Sequence, residues 1–261
     1  MNSINKTLYI PLYGKSYVSK RGLFITDKTA ERIWEEEGFT LKGKSKSKWL
    51  AYYMGIRCAV FDEWLGGKMA ENKNAVVIHI GCGLDNRVLR VGTNGHEWYD
   101  VDFPEVIEER KKYYTETEEY KMLCGDARDG AWLLNIEKGS SAIVVLEGVS
   151  MYLTKDEMRA LTERLCTHFD RVALLVDCYT TLAAKMTKIK NPINDVGVTE
   201  VYGIDNPTEY ESEGFSHVSA HDMTPQKYID ELQGFEKRIF RKLFAGGFSQ
   251  KLYRLYEDEK R

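Results

Sequence analysis

Four short stretches carry residues able to do chemistry: "VVIHIGCGLD" (Val76 to Asp85), "WYDVDFP" (Trp98 to Pro104), "LCGDARD" (Leu123 to Asp129) and "VVLEGVSMYL" (Val144 to Leu153). In each, a run of strand length closes on glycines, a carboxylate or both. Gly81-Cys82-Gly83 would let the backbone approach a ligand closely, since a Cβ there would collide with it. A carboxylate in "DVDFP" can accept both hydroxyls of a ribose diol. Strand alternation puts Asp100 and Asp102 on one face, so the pattern leaves the choice between them open. Asp126 can accept a bond from an exocyclic amine such as the adenine N6. Taken jointly, the stretches point to a ligand containing adenosine.

A pyrophosphate needs a tight glycine turn leading into a helix N-terminus. Asn86 and Arg87 stand where the third glycine of such a turn would fall, and Asp85 beside them repels phosphate. S-adenosylmethionine has no phosphate and brings an α-carboxylate and an α-ammonium instead. Its carboxylate wants a cation. Trp49, Tyr53, Ile56, Val60 and Trp64 recur at spacings of four, three, four and four, the stripe of a helix packed on a core. At roughly 100° per residue, Arg57 lies about 40° from Tyr53 and about 60° from Val60, bordering that face. It can supply the cation. The five histidines show no metal-ligand spacing, and His79 inside a strand reads as a satisfied buried side chain. Cys82 has no paired base in the pattern, so its backbone is expected to serve the loop. No metal is expected.

The elements that must position these residues follow from periodicity. Val76–Ile80, Glu97–Val101, Tyr120–Cys124, Ala142–Glu147 and Val172–Asp177 read as strands. Helical patterns over Phe103–Tyr114 and Lys155–Phe169 separate several of them, the second with Thr154 as N-cap. Phe215–Ala220 and Lys251–Tyr256 read as a final strand pair around a helix starting near Pro225. Strands alternating with helices make an α/β fold with a mostly parallel, seven-stranded sheet covered on both faces. In such sheets ligands bind beyond the carboxyl ends of the strands, near the point where strand order reverses. The glycines and carboxylates above all stand there.

Length and composition agree with one large α/β domain. The chain has 261 residues, 43% of them hydrophobic and 30% charged. A formal net charge of -3 argues against nucleic acid as a partner. Five cysteines, without a CxxC pair, suit a reducing compartment. Neither a signal-peptide layout nor an 18-residue apolar run is present, so a cytoplasmic protein without a membrane span is expected.

The four stretches, with "TLYIPLYGKSYVSKRGLFITDKTAERIW" near the start and "NPINDVGVTEVYGIDNP" later, resemble the leucine carboxyl methyltransferase superfamily. The likeness is to its bacterial branch, with polyketide O-methyltransferases of the tetracenomycin type, and it spans nearly the whole chain. The resemblance implies a class I, Rossmann-like methyltransferase domain over residues 73–261, an N-terminal helical cap over residues 1–72, and a substrate lid near 185–212. By position it implies that Lys15 and Arg57 bind the methionine carboxylate, with Gly81, Cys82 and Gly83 forming the loop. Asp102, followed by Phe103 and Pro104, would take the ribose. Asp126 with Ala127 would hold the adenine, and Glu147 would lie near the amino-acid end.

The expected reaction is methyl transfer to a carboxyl or hydroxyl of a small, polyketide-like molecule. A carboxylate acceptor is already ionised and needs no base. A phenol needs one within hydrogen-bond reach, and Tyr152 and His221 are the candidates. Eukaryotic members act on the C-terminal carboxyl of a phosphatase subunit, so a protein acceptor is the alternative reading. A catalytically inactive cofactor-binding module is another. Acceptor specificity is expected in the cap and in residues 191–207, where Tyr202 is the aromatic suited to a planar acceptor.

Overall fold

A computed structural model describes residues 3–41, 43–139, 141–187 and 200–260. Three helices precede the first strand: α1 (Ser3–Lys20), α2 (Lys28–Glu36) and α3 (Lys48–Glu71). Then come β1 (Val76–Ile80), α4 (Arg87–Val91), β2 (Trp98–Asp102), α5 (Pro104–Arg110), β3 (Tyr120–Cys124) and β4 (Ser141–Leu146). The chain continues through α6 (Lys155–His168), β5 (Arg171–Tyr179), α7 (Thr181–Thr187), β6 (Phe215–Ala220), α8 (Gln226–Ile229), α9 (Gly234–Leu243), α10 (Gly247–Leu252) and β7 (Tyr253–Lys260). The seven strands form one sheet in the order β3-β2-β1-β4-β5-β7-β6. β7 runs antiparallel to both neighbours, and the other pairings are parallel. Strand order reverses between β1 and β4, which places a crevice beyond their carboxyl ends.

The period-two pattern of the strands sorts side chains into two cores. Val77, Ile143, Val145, Leu175 and Leu255 join the cluster on the side of α1, α2 and α3. Ile78, Ile80, Val144, Leu146, Leu174 and Val176 join the cluster covered by α6. α3 is the pivot of the first layer. The Trp49–Trp64 stripe describes only part of it, because Tyr52, Gly55, Cys58, Phe61 and Leu65 on other faces are buried too. The reason is α1, which packs along the side a surface helix would show to water. A Cβ at Gly55 would come within 2.8 Å of Val18, so glycine there sets how closely the two helices approach. Among the described residues no helix is long and apolar enough to cross a membrane.

β7 reaches four residues beyond the expected Tyr256, through a charged run. That run is tolerated because each carboxylate finds a partner: Glu257 and Glu259 take Lys68, and Asp258 takes Tyr210 and His217. The helix expected over Phe103–Tyr114 is shorter, ending at Arg110 with a turn continuing to Tyr114. Arg110 turns inward from α5 and pairs with Asp100, and both are wholly buried. Asp100 also accepts from Tyr120 at 2.8 Å and from Trp98 at 2.9 Å. These bonds tie β2, β3 and α5 together. Replacing Asp100 by Ala should lower stability by about 3–5 kcal/mol, because it strands a buried guanidinium. Equilibrium urea unfolding measures this; a loss under about 1 kcal/mol would show that water or a shifted partner compensates Arg110.

Candidate active site

The crevice at the β1/β4 reversal is a cavity of about 380 Å³. It is walled by α1 (Leu8 to Lys15), by Met54 and Arg57 of α3, and by the strand ends. Eleven of the residues singled out in the sequence line it: Lys15, Arg57, Gly81, Cys82, Gly83, Asp102, Phe103, Asp126, Ala127, Glu147 and Tyr152. Gly81 has φ 69°, and a Cβ there would lie 2.2 Å from Val149, so no other residue fits that turn without displacing the facing wall. Burial pushes the Cys82 thiol well above its ordinary range, so it stays protonated, and its backbone N–H holds the Val101 carbonyl.

One end of the cavity is built from buried charge. Glu147 accepts from Arg57 Nε at 3.0 Å and from Arg87, while Arg57 Nη1 donates to Asp177 at 2.9 Å. Burial opposes ionisation of Glu147, but Arg57, Arg87 and Lys15 outweigh it and hold the carboxyl at about 2. Asp85 is the second hub, salt-bridged to Lys15 at 2.9 Å, Arg90 at 2.7 Å and Arg87 at 3.3 Å. Arg90 and Arg87 both continue to Asp62, and Arg90 reaches Asp27, the N-cap of α2. His79 is buried against Arg87 Nη1 at 2.9 Å, and burial beside that guanidinium holds its imidazole below the usual range. Its Nδ1 has no hydrogen-bond partner among the described residues and faces Asp100 Oδ1 at 3.5 Å, so His79 is buried at the cavity edge but not, as the sequence suggested, fully satisfied. Cys58, Asp85 and Glu147 gather donor atoms within 4.8 Å, yet all three already face Lys15, Arg87 or Arg90, which leaves little attraction for a metal ion.

Asp102 differs from every carboxylate in that network. It accepts only two backbone N–H groups, from Gly83 and Phe103, each at 2.8 Å, and has no ion pair. Burial outweighs those two amides and the more distant charge of Arg110 and pushes it up to about 6. Asp100, the alternative left open by alternation, is committed to Arg110 and does not line the cavity. Asp126 is held by Arg128 Nε, 2.9 Å from each oxygen, and sits at the opposite end of the glycine loop from Glu147.

Over residues 11–166 the sequence matches the model of a family described as leucine carboxyl methyltransferase. The chain belongs to that family. The tetracenomycin polyketide synthesis O-methyltransferase TcmP of Streptomyces glaucescens is 33% identical over 187 residues, 70% of this chain and 69% of that protein. The S-adenosyl-L-methionine-dependent methyltransferase dpfgK of Gibberella zeae is 32% identical over 139 residues, 50% of this chain and 47% of that protein. Among solved structures, a DUF574 family protein from Streptomyces avermitilis aligns with a TM-score of 0.58 at 12% identity, covering 95% of this chain and 96% of that one. Magnesium protoporphyrin IX methyltransferase ChlM of Synechocystis, solved with bound S-adenosylhomocysteine, aligns with a TM-score of 0.52 at 14% identity, covering 90% and 95%. At such identities these two share the fold.

The chain is therefore an S-adenosylmethionine-dependent methyltransferase. Its cavity fits that cofactor on its own geometry. Asp102 is a buried carboxyl on the wall still short of donors, and a ribose diol supplies two. Lys15 and Arg57, the cations expected at the methionine end, stand on the helical layer and line the cavity. Two further candidates fall elsewhere. His221 does not line the cavity; it bonds Glu257 at 2.6 Å on the outer strands, so it is not the base. Tyr202 does not line it either, and its backbone N–H holds the Met151 carbonyl. Residues 188–199 of the expected lid lie outside the described residues. The sequence reading missed Arg87, Arg90, Asp62, Asp85 and Asp177 as site builders. Buried arginines look like surface ones in a sequence; the one available signal was three basic or acidic residues within six positions (Asp85, Arg87 and Arg90) immediately after the glycine loop.

The position of Asp102 generates a pH dependence. A ribose diol donates to the ionised carboxylate, so binding draws on the ionised fraction of a group pushed up to about 6. That fraction is nearly complete above pH 7 and about one-tenth at pH 5. Affinity for S-adenosylhomocysteine should thus fall about tenfold from pH 7 to pH 5 and stay level above pH 7. In Asp102→Asn it should be weak throughout, with the slope gone. Calorimetry across that range is the check, and a wild-type profile flat down to pH 5 would remove Asp102 from the ribose site.

Proposed function

We propose that this methyltransferase transfers its methyl group to an oxygen of a small molecule, and that the oxygen belongs to a carboxylate. The observation that carries the reading is the protonation of the cavity wall. Burial pushes the Tyr152 hydroxyl up to about 12, so at neutral pH it donates and does not abstract protons. Tyr179 beside it is raised well above its ordinary range for the same reason. His79 reaches the cavity lining, but its Nε2 is taken by Arg87 and its Nδ1 faces Asp100, and His221 is elsewhere. No described side chain near Tyr152 is poised to deprotonate a phenol, whereas a carboxylate arrives ionised. The likeness to TcmP, a polyketide synthesis O-methyltransferase, supports oxygen as the acceptor atom and a small molecule as its carrier.

When bound, S-adenosylmethionine supplies an electrophilic methyl that passes in line to the acceptor oxygen as the carbon–sulfur bond breaks. The chain's part is alignment and charge. Holding two reactants in line contributes about 7–11 kcal/mol to barrier lowering. The charge network sets four cations (Lys15, Arg57, Arg87, Arg90) against five carboxylates (Asp27, Asp62, Asp85, Glu147, Asp177). That formal excess of one negative charge favours a sulfonium-bearing cofactor over its neutral thioether product. Met54, Met151 and Tyr179 add apolar wall for the acceptor.

The test is a screen of aromatic and aliphatic carboxylic acids and phenols with methyl-labelled cofactor. Label in the product should be released as methanol by mild alkali, as from an ester. Turnover confined to phenols, giving alkali-stable ethers, would overturn the carboxylate assignment. Tyr152→Phe separates the roles further: it should keep kcat within about tenfold, the range of one lost neutral hydrogen bond. Loss of about 100-fold or more would show proton transfer through its hydroxyl.

A further inference from the structure

Behind the glycine loop lies a group of buried side chains with no part in the wall. Arg110 is wholly buried and does not line the cavity. Its Nη1 donates to the carbonyl oxygens of Gly83, at 3.0 Å, and Asp85, at 2.7 Å. Its Nη2 pairs with Asp100, and its Nε donates to the Tyr120 hydroxyl at 3.1 Å. One turn beyond, the ring of Tyr114 lies 4.1 Å from the guanidinium carbon, and its hydroxyl donates to the Leu84 carbonyl at 2.9 Å. Three successive carbonyls, those of Gly83, Leu84 and Asp85, are each held by a side chain from outside the cavity.

This arrangement controls more than packing. The C=O and N–H of a trans peptide point in opposite directions, so holding three carbonyls fixes three peptide planes. It turns their oxygens from a site that must receive the methionine carboxylate. Gly83 carries the constraint further, since its N–H donates to Asp102 Oδ2 at 2.8 Å. We propose that Arg110 and Tyr114 are positioning residues for the cofactor: they set the glycine loop, and through Gly83 the Asp102 carboxyl, so that affinity depends on side chains the cofactor never touches. This rests on the cofactor's identity and is independent of the acceptor.

Two conservative variants test it by calorimetry with S-adenosylhomocysteine, with thermal unfolding alongside. Tyr114→Phe removes one hydroxyl and leaves the ring under Arg110. It should bind about three- to tenfold more weakly while its Tm stays within a few degrees of wild type. Arg110→Lys keeps a charge for Asp100, but an ammonium cannot span two carbonyls, a carboxylate and a hydroxyl in one plane. It should recover much of the Tm lost in Arg110→Met and still bind at least about tenfold more weakly than wild type. Wild-type affinity in Tyr114→Phe, or affinity in Arg110→Lys that recovers in step with Tm, would reduce the pair to core packing and overturn the proposal.

Discussion

A charge taken out of water must be met by opposite charge or by several hydrogen bonds, and the boundary between the helical layer and the strand ends is built around that requirement. Glu147 and Asp85 are almost withdrawn from solvent at the cavity wall, and Arg57, Arg87, Arg90 and Lys15 supply the opposite charge. These partners come from α1, α3 and α4, so the network is complete only when the helical layer is docked. The fold and the charged end of the cavity are therefore one structure. The same demand explains Asp27, which caps α2 while also neutralising Arg90.

Against that background Asp102 stands out because it has no ion pair. Two backbone amides are too little to ionise it fully at a buried position, and its carboxyl rises to about 6. Asp100, two residues earlier on the same strand face, is held down to about 2, burial notwithstanding, by Arg110 with His79 and Trp98. Two aspartates of one strand thus do opposite work. One is satisfied within the core and holds the loop in place; the other waits for donors that a ligand brings. Perturbed carboxyls of this kind collect at binding sites for that reason.

Tyrosines line the cavity wall beyond β4 and β5. The rings of Tyr179 and Tyr53 both pack against Tyr253, at 5.2 Å, and Tyr179 and Tyr152 face the cavity. Burial keeps their hydroxyls protonated, which makes this wall a set of donors and apolar surfaces and not a source of bases. Such a wall can orient an anion without attacking its proton balance, consistent with methyl transfer to a group that is nucleophilic as it arrives.

Much of this was legible in one dimension. The strands were readable because period-two alternation and strand-ending glycines are local signals, and β1, β3 and β6 fall where the pattern put them. The strand-end part of the cavity wall (Gly81 to Gly83, Asp102, Phe103, Asp126, Ala127 and Glu147) was readable because an open parallel sheet brings its strand ends to one edge whatever fills the helices. What alternation could not do was separate Asp100 from Asp102, since both point to one face and differ only in a partner, Arg110, from a following helix. The buried arginines, the full burial of α3 beneath α1, and the removal of His221 and Tyr202 from the cavity were likewise decided in three dimensions. Each depends on which element lies alongside, and a desolvated charge has the same letter as a solvated one until its neighbours are known.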